Sequence, residues 1–441
     1  MSIWIETKLK ESEIGKIPLD WSCTTLNKIA DINPKPIKLD SDYIEVSFVG
    51  MADVSESAKL MNTTNRLYGE VKKGFTSFQD NDVLVAKITP CFENGKGALV
   101  SNLTNGIGFG STEFHVIRTK EQKGCPEFIH HITTTHNFRV KGEMNMTGTA
   151  GQKRVGKDFI ASYLIACPPF VEQQKIAEIL STVDKKIDLI DQKIAETEKL
   201  KTGLMQKLFS EGVGVQDENG EWQPHTEFQD SIYGNIPKTW KLFKLNQVTD
   251  YVDYRGKTPP KVESGTFLVT AKNIKNGFID YECSKEYIPS ELYDDVMSRG
   301  KPKLGDVVFT TEAPLGNVAL IDRSDVAIAQ RVIKFRPKDD ICLDSGYLKH
   351  FMLSTYFQKE LLQNATGSTV LGVKGKRLHV MLVCLPSINE QIMIVDILNE
   401  VDRKMHFLEL QKAETQQLKK GLMQKLLTGE WRVPVEETEA A

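Results

Sequence analysis

The sequence predicts an α+β protein built twice: two β-rich, mixed globular domains joined by two long helices in an antiparallel coiled coil, with a pseudo-twofold internal repeat. Three observations predict it. The stretch 172–207 returns 218 residues later as 390–425 with its apolar pattern in place. The string Gly-x-Ile-Pro-x-x-Trp at 15–21 returns at 234–240. Short β-branched and aromatic runs bounded by Gly, Asn, Asp and Pro follow each such string, the pattern of strands. Together these place a first globular domain at 1–165, a helix at 166–212, and a short, polar, acidic linker at 213–232. A second globular domain follows at 233–384, then a helix at 385–429 and an acidic tail at 430–441.

Each globular domain opens alike. Trp21, Leu26 and Asp31 match Trp240, Leu245 and Asp250, and the string before them reads as a turn leading into an extended, buried segment with the tryptophan in the core. Strands are expected at 44–49, 83–88 and 114–117, and again at 267–269, 307–310 and 326–335. The framework Asp82 to Pro90 recurs as Asp306 to Pro314, yet the tips that follow, 91–97 and 315–317, differ in length and in every polar side chain. A repeated scaffold with unlike loops predicts two related modules that bind different things. Each domain closes with a Gly-rich basic stretch, at 147–157 and 366–377. Its backbone amides together with Lys153, Arg154, Lys157 and Lys374, Lys376, Arg377 suit phosphate oxygens, with a solvated loop as the alternative. Neither stretch is a P-loop, since Gly-x-x-x-x-Gly-Lys-Ser/Thr is absent.

The helices carry alternating four and three spacings, the seam of a coiled coil. Ile176, Leu180, Val183, Ile187, Ile190, Ile194 and Leu204 form it in the first copy, and Ile394, Leu398, Val401, Met405, Leu408, Leu422 and Leu426 in the second. Both seams turn polar at the same height, at Thr197 and Lys201 and at Thr415 and Lys419. Polar seam positions lower stability but fix register. A mid-helix glycine costs about 1 kcal/mol relative to alanine, so Gly203 and Gly421 at equivalent places predict a close approach of two backbones. Pro168-Pro169 precedes the first helix, and Ser387 with Glu390 reads as a capping box for the second.

Composition sets limits. No apolar run nears the roughly 18 residues that a bilayer span needs, and the start at Met1 lacks a charged region followed by an apolar core, so a cytoplasmic protein is expected. Seven cysteines, no two closer than 34 residues, offer neither a disulfide framework nor a metal pair. The net charge of −3 conceals a split: the two globular domains hold 42 Lys and Arg against 36 Asp and Glu, and the helical and linker parts 14 against 23. A basic face on each globular part is therefore compatible with a pI of 6.3. His-Glu-x-x-His, Gly-x-Ser-x-Gly and Cys-x-x-Cys are absent, and Asn33-Pro34-Lys35-Pro36 does not match the Asn-Pro-Pro-aromatic string of amino-methyltransferases. Carboxylates such as Asp82 and Glu113 have no partner visible in the sequence. No catalytic residue and no metal ligand is assigned.

Two globular modules of about 150 residues, each followed by Pro-x-x-x-Glu-Gln (Pro168, Glu172, Gln173; Pro386, Glu390, Gln391) and a helix ending Gly-Leu-Met-Gln-Lys-Leu, resemble the specificity subunits of type I restriction–modification enzymes. The strings 87–97 and 255–259 look like those common in that family's target recognition domains. The resemblance covers nearly the whole chain. It implies that each module is a target recognition domain reading one half of a split, asymmetric sequence in double-stranded DNA, while the helices act as spacers and dock partners. It also implies two modification subunits that use S-adenosylmethionine to methylate adenine, and restriction subunits that cut DNA with ATP and Mg. This chain itself would hold no cofactor and catalyse nothing. Major-groove reading uses Arg or Lys for guanine and Asn or Gln for adenine. That selects Lys87, Asn94 and Lys96 in the first module and Thr311, Asn317 and Arg331 in the second as base-reading candidates, with the basic stretches on the backbone. An interaction scaffold with two non-DNA modules, and a stand-alone methyltransferase or nuclease with divergent motifs, are the alternatives. Salt-dependent duplex binding separates the first from the DNA reading, and binding of S-adenosylmethionine by the isolated chain would favour the second.

Overall fold

The computed structural model describes residues 8–149, 151–254 and 259–434. The chain divides into two compact units, Met1–Asp191 with Leu410–Ala441, and Gln192–Glu409. Each unit thus contains one globular module, the start of the helix that follows it and the end of the other long helix.

In the first unit a hairpin, Leu9–Ser12 with Gly15–Pro18, leads into the buried Trp21. Strand Ser22–Thr25 pairs antiparallel with Leu164–Cys167, so the module's opening and closing segments lie side by side. Its central sheet contains β1 (Ala30–Ile32), β2 (Val83–Ala86), β3 (Gly97–Leu99) and β4 (Phe114–Thr119) in the order β1-β4-β2-β3, all antiparallel. Strand β2 is apolar at every position because both its faces are covered. Val83 and Val85 join one core with Phe92 and Phe128, while Leu84 faces another with Ala98 and Val116, as the period of two requires. A second sheet runs Thr64–Leu67, Glu45–Val49, Ile107–Gly110, Thr76–Gln79 and is mixed, since 45–49 and 107–110 are parallel. Helix α1 (Pro126–Thr133), with proline at its start, inserts Phe128, Ile129 and Ile132 into the core shared with Ile176 and Leu180.

The second unit repeats this plan. A hairpin, Phe228–Ser231 with Gly234–Pro237, precedes the buried Trp240, and Lys241–Lys244 pairs with Leu382–Leu385. The central sheet is β5 (Thr249–Asp253), β6 (Val307–Thr311), β7 (Leu315–Leu320) and β8 (Val332–Pro337) in the order β5-β8-β6-β7. Val307 and Phe309 face one core and Val308 the other. The apolar run 326–335, expected as one strand, is two. Val326–Ile328 pairs parallel with Thr266–Val269 in a smaller sheet, and β8 belongs to the central one. Arg331, at φ 74°, stands at the break.

The long helices are α2 (Phe170–Leu208) and, after α3 (Ser345–Leu353), α4 (Ile388–Leu426). They pair antiparallel within each unit. In the first, Asp184 meets Lys419 and Asp191 meets Lys412, both at 2.6 Å, one number rising by seven as the other falls by seven. In the second, Lys201 meets Asp402 at 2.6 Å, which repeats the Asp184–Lys419 pair with the helices exchanged. Ile176, Leu180, Ile187, Ile190 and Leu426 are buried in the first unit, with Val183 and Leu422 half-buried. Ile394, Leu398, Val401, Leu408 and Leu208 are buried in the second, with Ile194, Leu204 and Met405 half-buried. Thr197 and Thr415 are buried and return their hydroxyls to their own helices, at Lys193 O and Gln411 O. Gly203 and Gly421 correct an expectation: both are exposed, with no atom within 4 Å of where a Cβ would sit, so no second backbone approaches.

The Glu-Gln pairs at the helix starts are anchors. Glu172 Oε2 accepts from the Trp21 indole at 3.0 Å, and both its oxygens accept from Arg432 beyond α4. Glu390 Oε2 accepts from the Trp240 indole at 2.9 Å, while its Oε1 accepts from the amides of Val213 and Gly214, just beyond α2, and lies 3.0 Å from His225 Nε2. Gln173 and Gln391 bond the loops before α1 and α3, taking the Cys125 and Asp344 amides. Ser387 caps Glu390 N at 3.3 Å, but the Glu390 side chain faces Trp240, so the capping box is only half formed. The stretch after α2, expected as a plain linker, is ordered against the second unit, with strands Val215–Gln216 and Trp222–Gln223 paired.

Candidate nucleic-acid interface

In each unit the end of the central sheet gathers three segments that the sequence holds far apart. The middle strand, β2 or β6, runs into a loop with a cis proline, Thr89-Pro90 or Ala313-Pro314. Beside it begins β4 or β8, and the basic stretch closes over both. Lys87 N donates to Glu113 O at 2.9 Å and Lys87 O accepts from Val155 N at 2.9 Å. Thr311 N donates to Arg331 O at 2.9 Å and Thr311 O accepts from Val373 N at 3.0 Å. The two ends therefore superimpose in their backbone bonding, Lys87 with Thr311 and Glu113 with Arg331.

The side chains there do not match. In the first unit Arg154 grips Glu113 bidentately, Nε to Oε2 at 3.0 Å and Nη2 to Oε1 at 2.8 Å. This holds the Glu113 carboxyl below its usual range, against the opposing effect of its partial burial, and Lys87 and His115 add to it. In the second unit Arg331 Nε meets Glu312 Oε1 at 2.7 Å. His115, below the first end, lies 2.9 Å from Val155 O through Nε2, and burial pushes its pKa down.

The loop 88–97 is fixed from beneath. Phe92 is fully buried, and Arg139 donates to Phe92 O and Gly95 O at 3.1 and 3.2 Å. Gly95 has φ 85°, and a Cβ there would stand 2.7 Å from Glu56 O. Rigid positioning of a polar loop is what base reading needs.

Among the base-reading candidates, Lys87 is half-buried at the strand end. Asn94 is exposed, with Nδ2 bonded to Glu56 at 2.8 Å, and Lys96 donates to Met51 O at 3.0 Å. Thr311 is buried and its hydroxyl donates to Arg331 O, so it supports the loop rather than facing outward. Asn317 is half-buried and donates to Ile274 O at 2.7 Å. Arg331 is exposed. Of the phosphate candidates, Lys153, Lys157, Lys374 and Lys376 are exposed, Arg154 is committed to Glu113, and Arg377 reaches Asn364 at 3.4 Å. The string 255–258 lies outside the described residues.

The carboxylates without a visible partner find one. Arg118 holds Asp82 at 2.9 and 2.7 Å, and Arg336 holds Asp306 at 2.6 and 2.7 Å. In each pair the aspartate directly precedes the middle strand, β2 or β6, and the arginine lies on the neighbouring strand, β4 or β8. Their repetition, Asp and Arg in each half, was a signal open to sequence reasoning; Glu113 with Arg154 offered none. Among the described residues no group of three or more His, Cys, Asp or Glu could hold a metal ion, and no helix is long and apolar enough to cross a membrane.

Comparison with known proteins follows the same division. A family model described as the type I restriction modification DNA specificity domain matches residues 18–199 and 237–420. The EcoAI specificity subunit of Escherichia coli is 26% identical over 89% of this chain and 79% of its own length. The putative MjaX specificity subunit of Methanocaldococcus jannaschii is 22% identical over 98% of this chain and 99% of its own. Two solved structures share the fold. A chain from a study of complex assembly in the type I R-M system aligns with TM-score 0.55 and 20% identity, over 94% of this chain and 99% of that one. An S subunit from M. genitalium aligns with TM-score 0.54 and 13% identity, over 96% and 99%.

Proposed function

The chain belongs to the type I restriction–modification DNA specificity family, and from that premise we propose that it is the DNA-reading, non-catalytic subunit of such a complex. Each module, taken as 1–165 and 233–384, binds one half of a split, asymmetric duplex sequence. The observation that supports this most is the pair of sheet ends with the same backbone and different side chains. One scaffold presents Lys87, Glu113 and Arg154; the other presents Arg331 and Glu312, with Thr311 buried. Sequence is read by base contacts, whereas the phosphates that position a protein are the same at every nucleotide. Unlike ends on one scaffold are therefore what two different half-sites require.

The partners in this reading are double-stranded DNA, two modification subunits carrying S-adenosylmethionine, and restriction subunits that use ATP and Mg, all in the cytoplasm. The helices set the spacing between half-sites and dock the modification subunits. Apolar side chains on their outer faces support docking: Leu189 and Leu418 in the first unit, and their repeats Phe407 and Leu200 in the second, are each half exposed or more.

Profiling genomic adenine methylation in cells with and without the complete complex tests the reading; a split motif should appear only with it. Exchanging the whole first module for one of another specificity should then change only one half of that motif. Change in both halves would refute one module per half-site.

A further inference from the structure

Equivalent positions at the two sheet ends carry opposite charge. Glu113 precedes β4 and Arg331 precedes β8, and the carbonyl of each accepts from an amide at the end of the neighbouring strand, that of Lys87 just after β2 or of Thr311 closing β6. In the first unit the outward group is a carboxylate held by an arginine. In the second it is an arginine beside a carboxylate. The holding partners come from different segments: Arg154 from the basic stretch, Glu312 from the cis-proline loop. The inversion therefore belongs to the position itself and not to a copied ion pair.

We infer that this position is specificity-determining in both modules: Glu113 reads the exocyclic amine of a cytosine, and Arg331 reads a guanine. The inference rests on the DNA reading above and adds which bases its two ends choose.

A bare carboxylate in the major groove repels the phosphates around it. A carboxylate neutralised by a bidentate arginine does not carry that penalty, and its remaining lone pairs still accept hydrogen bonds. Cytosine N4 is the donor that Glu and Asp accept from in the major groove, and guanine O6 and N7 are the acceptors that Arg matches. The Glu113 side chain keeps a quarter of its surface exposed and that of Arg331 about half. Arg331 also holds φ 74°, a left-handed backbone that side-chain-bearing residues rarely adopt. Such outliers concentrate at ligand-contacting positions.

The test selects from a randomised duplex library with the chain assembled with its modification subunits, comparing wild type, Glu113→Gln, and the double swap Glu113→Arg with Arg154→Glu. The wild-type motif should hold a C·G pair in the half-site of the first module. Glu113→Gln, which keeps an acceptor for Arg154, should lower discrimination at that pair by about 5- to 150-fold, the range of one good base contact. The swap restores the ion pair with reversed polarity, so the preferred pair there should turn from C·G to G·C while the other half-site stays as it was. Arg331→Gln should weaken a guanine in that other half only. A swap with the wild-type motif unaltered makes Glu113–Arg154 a structural pair and overturns the inference. So does a first half-site made only of A·T pairs, or an unaltered preference in Glu113→Gln. A wild-type complex that selects no split motif refutes the DNA reading and this inference with it.

Discussion

Glu172 and Glu390 each sit where a long helix leaves its module, and each holds both the module's tryptophan and the segment that follows the other helix. A buried carboxylate surrounded by donors is stabilising only while the set is complete, since an orphaned buried donor costs about 1–3 kcal/mol. Glu390→Ala strands the Trp240 indole, the Val213 and Gly214 amides and the His225 ring. It should destabilise the fold by at least about 3 kcal/mol in urea unfolding, and Glu390→Gln, which keeps one of the two acceptor oxygens, by less. The histidines of α1 act through pH. Burial is the main cause that lowers the pKa of His130 and of His131 from 6.5 to about 3; the charge of Lys419 contributes at both and His131 contributes at His130, where Asp184 opposes them. The folded protein thus keeps them neutral while the unfolded chain takes up protons below about pH 6.5. Their stabilisation is full above that pH and is lost as pH falls toward 3, by about 2 kcal/mol for each by pH 5. His130→Leu should therefore flatten the decline of the urea midpoint between pH 7.5 and 5, and an unchanged decline would mean that His130 is protonated in the fold.

At the scale of elements, the helix seam separates burial from register. Interhelical pairs such as Lys201–Asp402 are partly exposed and worth about 0–1 kcal/mol; they fix which layers face each other. The apolar layers supply the stability. Ile190→Asp places an unpaired charge in a buried layer and should lower the melting temperature by many degrees, whereas Leu189→Asp, at a position 57% exposed, should shift it little. Equal effects of the two would rule out the paired seam. These layers were legible in the sequence because spacing along one helix is local information. Gly203 and Gly421 misled because a repeated residue reports the repeat, not a contact. The run 326–335 hid its break because composition does not reveal that Arg331 adopts a left-handed backbone. The basic stretches could be recognised, but the grip of Arg154 on Glu113, 41 residues away, arises only when the sheet brings the two segments together.

For the whole molecule, the proposed function asks two copies of one scaffold to hold the same polymer while reading different sequences, so positioning and reading have to fall to different groups. The basic stretches suit positioning: Lys153, Lys157, Lys374 and Lys376 are exposed, and Arg377 reaches the neutral Asn364. Arg154 differs, because Glu113 cancels its charge locally. Each lost phosphate contact lowers the salt slope of log K by about 0.9 on duplex DNA. In the complex assembled with modification subunits, Lys374→Ala with Arg377→Ala should therefore reduce the slope by roughly 1.8 and weaken related and unrelated duplexes alike. Arg154→Ala should instead change base preference, since it frees the carboxylate that the inference assigns to a cytosine. An unaltered slope in the Lys374 and Arg377 double variant would return both residues to solvent. A loss confined to the cognate duplex would move them to base reading, leaving Lys376 alone in that stretch to hold the backbone.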